Sequence, residues 1–339
     1  MPAEPSTPAD TSVAPASPDE VAERAERVAP LLREHLTLTP LLPFAGLAEQ
    51  VGTEVLVKCE HLQRTGSFKA RGSLAKVLTL SAEERERGVV TASSGNHGLG
   101  VAHALSALGG RGIVYVPETA SPVKVAAIRR FGAEVRAQGT DSGVLEVLAR
   151  RYAAEHRLVY VSPYNDLHVI AGQGSIGVEL LEQAGERGLD AVFVAVGGGG
   201  LISGVASVLK RRLPGIRVYG ASPSVDAAMA ASVAAGRVVA VDATPTLSDG
   251  TAGSVEDGAI TLPLCRALVD EWVLVSEAEI RAALRLVIDT EHQLIEGAAA
   301  AAVAAALARR TELAGQRVAI VSCGANIGAD TLAAALTAG

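Results

Sequence analysis

The stretch DAVFVAVGGGGLISGVASVLKRR, from Asp190 to Arg212, carries the pattern from which the fold is predicted. Its VFVAV segment is apolar throughout, as expected for a parallel strand that helices cover on both faces. Four glycines, Gly197 to Gly200, follow the strand, and a helical pattern begins at Leu201. A strand, a glycine-rich turn and a helix form the unit from which parallel α/β sheets are built.

The same alternation extends on both sides of this unit. Before it, helical patterns start at Lys69, Asn96 and Ser142, and short apolar strands such as GVVTAS and GIVYVP lie between them. After it come the strands RVYGAS and RVAIVSCG, with further helices. The sequence therefore predicts an α/β fold with open, twisted, mostly parallel sheets flanked by helices. In such sheets, ligands bind at the carboxyl ends of the strands.

The N-terminal segment has a different composition. Residues 1–20 are rich in Pro, Ala, Ser and acidic residues, and we expect a disordered tail without the features of a signal peptide. Ser17 and Pro18, followed by two acidic residues, predict the start of a helix that is interrupted or ended near Pro30. The protein is therefore expected to be cytoplasmic.

Composition excludes several classes of partner. The net charge is −7, and no basic block indicates nucleic acid or a membrane surface. The alanine-rich run from Gly297 to Ala308 is too short to span a membrane. Three scattered cysteines and seven histidines show neither a disulfide framework nor metal-ligand spacing, so no metal is expected. A small-molecule ligand is the predicted partner.

Two loops in the first half of the chain place polar groups at the start of a helix. In Thr65–Gly72, Lys69 follows an aromatic residue, and desolvation there would lower the pKa of its amine, as Schiff-base chemistry requires. In Ser93–Gly98, free backbone N–H groups and flanking hydroxyls would suit a carboxylate or phosphate. Taken alone, each has an ordinary alternative: a surface lysine on an amphipathic helix and an N-capped loop.

Two loops in the second half of the chain follow apolar strands. Gly197–Gly200 lets the backbone approach an anion closely, and a phosphate is the natural ligand. Ser322–Asn326 would place a hydroxyl at the carboxyl edge of a sheet, and alone it is uninformative. Gly172–Gly177 fits the letters of a dinucleotide fingerprint but lacks the acidic residue about 20 positions later. We interpret it as a tightly packed helix start.

Taken together, SFKARG, SSGNHG, GGGGL and SCGAN, in this order, resemble the fold type II pyridoxal-phosphate enzymes, whose fold is tryptophan synthase β-like. Within them the chain is most similar to the threonine/serine dehydratase and serine racemase branch. The linking segments SPYNDLHVIAGQGSIGVELL, TLSDGTAG and LIEGAAAAAVAAAL match the branch in order and spacing. The resemblance covers the chain from about Pro40 onward.

The resemblance implies pyridoxal 5′-phosphate as the cofactor and an amino acid as the substrate. It implies that Lys69 holds the cofactor as a Schiff base beside Phe68, that Asn96 contacts its 3′-oxygen and that Ser322 contacts its ring nitrogen. The cofactor phosphate would lie on Gly197, Gly198, Gly199, Gly200 and Leu201, and Gly250 and Glu296 would lie near the ring. Ser93, Ser94, Gly95 and His97 would hold the substrate carboxylate.

The expected reaction is a dehydration with loss of ammonia. Lys69 would take the Cα proton, and the β-hydroxyl of a substrate such as threonine or serine would leave with a proton from the cofactor phosphate or a bound water. The product would be a 2-keto acid. The alternatives are a racemase or mixed racemase-dehydratase, with Ser94 as the second proton carrier, elimination from a specialised hydroxy amino acid, and a non-catalytic member that retains the cofactor.

The resemblance also predicts the overall organisation. We expect a large cofactor-binding domain of residues 21–87 and 167–339, a small domain of residues 88–166, and a homodimer. Ser222 replaces the glutamate with which racemase-like relatives bind a divalent metal, and Ala228 stands near a second acidic position, while Asp226 remains nearby. A metal site is therefore not expected. No regulatory domain is expected after Ser322.

Overall fold

The structure is a computed structural model and describes residues 16–93, 95–140 and 142–337. The described chain contains two kinds of regular element that alternate along most of its length. The strands are β1 Leu41–Pro43, β2 Glu54–Cys59, β3 Val89–Ala92, β4 Gly112–Val116, β5 Glu134–Ala137, β6 Val159–Tyr160, β7 Ala191–Ala195, β8 Arg217–Pro223, β9 Glu271–Val275 and β10 Arg317–Ser322.

The α-helices lie between and around these strands. They are α1 Pro18–Arg33, α2 Ala45–Val51, α3 Lys69–Leu78, α4 Ala82–Arg87, α5 Asn96–Leu108, α6 Pro122–Arg130, α7 Ser142–His156, α8 Leu167–Ala184, α9 Gly200–Arg212, α10 Ala228–Ala235, α11 Thr261–Leu268, α12 Glu277–Glu291, α13 Gly297–Ala308 and α14 Ala329–Thr337. In the described ranges, no helix is both long enough and apolar enough to span a bilayer.

The strands form two sheets. One has six strands in the order β1-β2-β10-β7-β8-β9, and all its pairs are parallel except β1 with β2. The other has four parallel strands in the order β5-β4-β3-β6. The predicted α/β class and mostly parallel sheets are confirmed. Because β7 and β10 are neighbours, the loops that follow them meet at one edge of the larger sheet.

The core follows from the apolar strands and small-residue helices. Every residue of β7 is buried, and ten of the twelve residues of α13 are buried among the strands. Alanine is the best helix former, and its small side chain lets a helix pack closely on a sheet. The alanine-rich run is therefore a core helix.

The helix predictions needed three corrections. Residues 18–20, assigned to the N-terminal tail, belong to α1, and that helix continues through Pro30 to Arg33. Helix α8 begins at Leu167, because the Asp166 side chain accepts hydrogen bonds from the next helical N–H groups. Gly172–Gly177 therefore lies inside a helix rather than at its start. A Cβ on Gly174 would lie 3.0 Å from the Gly204 carbonyl oxygen, so this segment serves close helix packing.

A buried group of charged residues joins α3 to α8 and β2. The guanidinium of Arg71 donates to both carboxylate oxygens of Glu60, at 2.7 and 2.9 Å, and to both oxygens of Glu179, at 2.7 Å each. Lys58 donates to Glu179 at 2.6 Å and to the carbonyl oxygen of Thr39 at 2.6 Å. All four charged side chains are at most 2% exposed. We call Lys58, Glu60, Arg71 and Glu179 the ion cluster.

Candidate active site

The loop before α3 is held against the end of β10. The backbone N–H of Phe68 donates to the carbonyl oxygen of Cys323 at 3.0 Å, and that of Ala325 donates to Gly66 at 2.9 Å. Gly66 has a φ of +71°, which L side chains rarely adopt. The loop therefore delivers Lys69 to the first position of α3, at the carboxyl end of the larger sheet.

Lys69 faces a cavity between the two sheets. Its Nζ donates to the carbonyl oxygen of Pro163 at 2.9 Å and lies 5.3 Å from the centre of the Phe68 ring. Burial lowers the pKa of the Lys69 amine to about 8, against the opposing effect of the Glu146 carboxylate. A larger fraction of this amine is therefore neutral near pH 7 than for a lysine in water.

The glycine loop after β7 forms the inner wall of this cavity. Gly199 has a φ of +83°, and a Cβ on Gly198 would lie 2.4 Å from the ring of Tyr164. The Thr261 hydroxyl donates to the carbonyl oxygen of Gly198 at 2.8 Å, which fixes the loop at the start of α9. The first N–H groups of a helix have no partner within it, so the loop and the helix start form an anion site.

Asn96, Glu296 and Asn326 form a hydrogen-bonded group across the cavity. The Asn96 amide donates to the two Glu296 oxygens at 2.9 and 3.2 Å, and the backbone N–H of Asn326 donates to Glu296 at 2.9 Å. The Asn326 amide donates to Asn96 Oδ1 at 2.6 Å. Burial raises the pKa of the Glu296 carboxyl to about 7. This group sets the direction of the Asn96 amide.

The loop before α5 supplies further polar groups. Ser93 Oγ accepts from the backbone N–H of Gly95 at 3.2 Å. His97 Nε2 lies 3.0 Å from the carbonyl oxygen of Val161, and its buried Nδ1 has no hydrogen-bond partner within the described ranges. Burial, together with the charge of Lys69, lowers the pKa of His97 to about 3, so its imidazole is neutral. Ser94 lies outside the described residues.

The predicted residues converge on two adjoining cavities. The inner one, of about 50 Å³, and the outer one, of about 260 Å³, share the surfaces of Lys69, Asn96, Gly198, Gly250 and Glu296. The remaining predicted residues divide between them: Phe68, Gly197, Gly199, Gly200 and Leu201 line the inner cavity, and Ser93, Gly95 and His97 line the outer one. Ser322 ends β10, one residue before Cys323, which lines the inner cavity.

Comparison with known proteins identifies the family to which this site belongs. The family model described as pyridoxal-phosphate dependent enzyme matches residues 32–324. This chain belongs to the pyridoxal-phosphate-dependent enzymes.

Individual relatives of this pyridoxal-phosphate-dependent enzyme agree with the match. A putative threonine dehydratase of Sinorhizobium fredii is 39% identical over 306 residues, which are 90% of this chain and 92% of that protein. The structure of processed threonine deaminase isoform 2 from Solanum lycopersicum superposes with a TM-score of 0.86 at 32% identity, covering 94% and 93% of the two chains. Serine racemase from Dictyostelium discoideum gives 0.82 at 33% identity, covering 93% and 100%.

These similarities confirm the predicted fold type II family, the threonine/serine dehydratase and serine racemase branch, pyridoxal 5′-phosphate as the cofactor, and a dehydratase-type lyase. The residues present also fit the cofactor. Ser322 Oγ is buried without a hydrogen-bond partner among the described atoms, as a hydroxyl that awaits a ring nitrogen would be. The close approach of Tyr164 and Thr251 to the glycine loop leaves backbone groups, not side chains, to contact an anion.

The enzyme's departures from the racemase-like pattern have ordinary structural roles. The Ser222 hydroxyl donates to the carbonyl oxygen of Val196 at 2.9 Å. Asp226 is buried and accepts from the backbone N–H of Gly253 at 2.9 Å. Within the part of the chain that the structure describes, no three His, Cys, Asp or Glu residues form a group that could hold a metal ion.

Several residues that line the enzyme's cavities were not predicted. Tyr164 and Pro163 come from the SPYND segment, and Asn326 from the SCGAN loop; both segments carried the resemblance without an assigned role. Glu146 lies within α7, and no local sequence pattern distinguishes it from a surface glutamate. Only the packing of α7 on the smaller sheet brings Glu146 to the cavity.

Proposed function

We propose that this enzyme is an ammonia-lyase that dehydrates a β-hydroxy amino acid, L-threonine or L-serine, to a 2-keto acid and ammonia. The observation that carries the proposal is a desolvated lysine amine set between two helix N-termini, one formed with the glycines of Gly197–Gly200 and the other preceded by the Ser93 hydroxyl. The alignments with the relatives named as threonine dehydratase and threonine deaminase cover 90% and 94% of this chain.

We assign each binding role to a described feature. Gly197 to Leu201 would hold the cofactor phosphate, Asn96 its phenolate oxygen and Ser322 its ring nitrogen, with Gly250 and Glu296 beside the ring. The substrate carboxylate would lie at the start of α5, on Ser93, Gly95 and His97, with Ser94 in the same loop. A neutral His97 can donate or accept there without adding charge.

Lys69 would act twice through the same atom. Its amine would hold the cofactor, and as a free amine its Nζ would take the substrate's Cα proton as a general base. When bound, pyridoxal phosphate supplies the electron sink for this step. The pKa of Lys69, lowered by burial to about 8, leaves a larger fraction of the amine neutral near pH 7 than for a lysine in water. The enamine released would hydrolyse to the keto acid and ammonia.

We also propose a cytoplasmic homodimer. The three cysteines are all free and buried, as suits a reducing compartment. Leu38, Leu62 and Leu294 are each about half exposed. Two hydrogen bonds join their segments, Thr37 N–H to Gln63 at 3.0 Å and His61 to Gln293 at 3.1 Å, so the three leucines lie on adjacent segments. Sedimentation at the monomer mass, or recovery outside the cytoplasm, would contradict these parts of the proposal.

The two-domain division remains part of the proposal. The four strands of the smaller sheet fall within residues 88–166, and the larger sheet takes its strands from residues 21–87 and 167–339. The site lies between the sheets, so we propose that the small domain closes over the substrate. Identical solution-scattering dimensions with and without a bound substrate analogue would argue against closure.

The test is an assay of the purified enzyme with pyridoxal phosphate against L-threonine, L-serine, threo-3-hydroxyaspartate and phenylserine. We expect 2-keto acid and ammonia in equal amounts from threonine or serine. Chiral analysis of the remaining amino acid measures racemisation in the same samples. D-amino acid without keto acid would show that the enzyme is a racemase and not a lyase. Keto acid only from hydroxyaspartate or phenylserine would show that the substrate is neither threonine nor serine.

A further inference from the structure

Three carboxyl groups line the outer cavity beside Lys69, and two of them have other partners. Glu296 accepts hydrogen bonds from Asn96 and Asn326, as described above. Asp249 is exposed at the cavity mouth and pairs with Lys124 at 3.3 Å. The third is Glu146 of α7, which is half-buried. Within the described ranges, its carboxyl has no hydrogen bond or ion pair.

The groups around Glu146 contact one another, although the Tyr160 hydroxyl and Glu256 Oε1 have no hydrogen-bond partner among the described atoms. Arg150, one turn later on α7, donates to Glu256 at 2.5 Å and lies 4.3 Å over the Tyr160 ring. The Tyr164 hydroxyl accepts from the backbone N–H of Glu256 at 2.9 Å. The remaining charged neighbour is Lys69, across the cavity. The Glu146 carboxyl therefore faces the space in which a substrate would lie.

The surroundings of Glu146 favour its protonated form. Burial raises the pKa of the Glu146 carboxyl, and the Glu256 carboxylate raises it further, while Arg150 and Lys69 act in the opposite direction. The net effect is a pKa above the ordinary value of 4.5. A carboxyl in this state can donate a proton at a higher pH than a glutamate in water.

We propose that Glu146 donates the proton with which the substrate's β-hydroxyl leaves as water. This inference rests on the proposed function, because it concerns the leaving group of the same reaction. The Cβ–O bond breaks and its electron pair stays on oxygen, which takes the Glu146 proton. The electron pair of the Cα–H bond forms the Cα–Cβ double bond, and Lys69 takes the proton. Transfer of that proton from Lys69 to Glu146 restores both groups.

The proposal distinguishes substrates by their leaving group. Hydroxide is a poor leaving group and needs a proton as the bond breaks, whereas chloride leaves without one. A positioned general acid contributes roughly 10²- to 10⁴-fold to such a step. Removing the acid should therefore slow elimination from L-serine and leave elimination from β-chloro-L-alanine near the wild-type rate.

The experiment compares Glu146→Gln with Glu155→Gln, the same change on the exposed end of the same helix. For Glu146→Gln we expect kcat/KM with L-serine to fall about 100-fold or more, with β-chloro-L-alanine turnover retained. Glu155→Gln should match the wild type with both substrates. In the wild type, the rate of serine dehydration should fall as pH rises through the pKa of Glu146. The rate of the β-chloro-L-alanine reaction should not show this decrease.

Two further measurements separate the outcomes. The cofactor absorbance band and the melting temperature of Glu146→Gln should match the wild type, which shows an intact site. Equal losses with both substrates would overturn the proposal in favour of a structural role, and no loss with serine would overturn it outright. Glu146→Asp, which keeps the acid, should recover part of the serine activity. A wild type active on β-chloro-L-alanine but on no hydroxy amino acid would instead refute the proposed function.

Discussion

Two basic side chains, one half-buried and one fully buried, start from the same turn of α3 and differ in how completely their hydrogen bonds are satisfied. Arg71 enters the ion cluster, where Glu60 and Glu179 accept from its guanidinium and Glu179 also accepts from Lys58. Lys69, two residues earlier, enters the cavity, where its amine has one backbone acceptor. Ser322 Oγ and His97 Nδ1 nearby have no partner among the described residues.

The difference separates a structural network from a binding site. Buried polar groups are nearly always paired, because leaving one unpaired costs about 1–3 kcal/mol. The ion cluster has met this requirement within the chain, so it needs no ligand. The polar groups that line the cavity are not all paired within the described residues. A cofactor with phosphate, phenolate and ring-nitrogen groups would supply the missing partners. The comparison predicts that changes in one region affect catalysis and changes in the other affect stability.

The largest effect is expected from Lys69→Ala. Without the amine, 2-keto acid formation should fall by roughly 10⁴-fold, and the cofactor's visible absorbance band should be lost. Because burial disfavours the charged amine, its removal should not lower the free energy of unfolding. Lys210→Ala, which breaks an exposed ion pair, is the control. A Lys69→Ala protein that unfolds, or that keeps its activity, would contradict the distinction between a catalytic cavity and a structural ion cluster.

Arg71→Met should show the opposite behaviour. It leaves two buried carboxylates with one lysine, and breaking a buried pair in this way typically costs 3–5 kcal/mol. Denaturant unfolding measures the loss, and Arg151→Met, which breaks an exposed pair, should change stability by less than about 1 kcal/mol. An Arg71→Met enzyme as stable as the wild type would show that the ion cluster does not stabilise the fold.

A smaller, pH-dependent effect is expected from Glu296→Gln in the cofactor-free protein. The folded-state pKa of Glu296, about 7, exceeds the ordinary value of 4.5, so the folded chain binds more protons between these values. The free energy of unfolding of the wild type should therefore fall, relative to the variant, as pH rises from 4.5 to 7, by about 3 kcal/mol. Unfolding across this range tests it, and parallel curves would refute the assignment.

The regular elements were predictable where local signals agreed with packing. Helices α5 and α7 begin at the predicted residues, because each helical pattern follows a clear turn. Helix α8 was predicted to start at Gly172–Gly177 but starts at Leu167, since glycines at Gly172 and Gly174 normally weaken a helix. Close contact with α3 and α9 favours those glycines, and that contact is visible only in the folded chain.

The site was predictable in part for the same reason. Lys69, Asn96 and the glycine loop stand in short motifs at the start of helices, so the sequence places them at strand ends. Glu146 and the residues of the ion cluster belong to no such motif. A carboxylate on a helix is most often solvated, and only the three-dimensional contacts distinguish Glu179, which is buried, from Glu182 on the same helix, which is exposed.

The hydrogen bond from Asn96 to Glu296 joins residues 200 positions apart. The site needs more than this one contact, because its loops follow β2, β7 and β10, and β2 and β10 themselves pair across a longer stretch of chain. The cofactor site can therefore be complete only after the larger sheet has assembled. Appearance of the cofactor's colour in a refolding mixture would then mark an assembled larger sheet, not an early step that guides its folding.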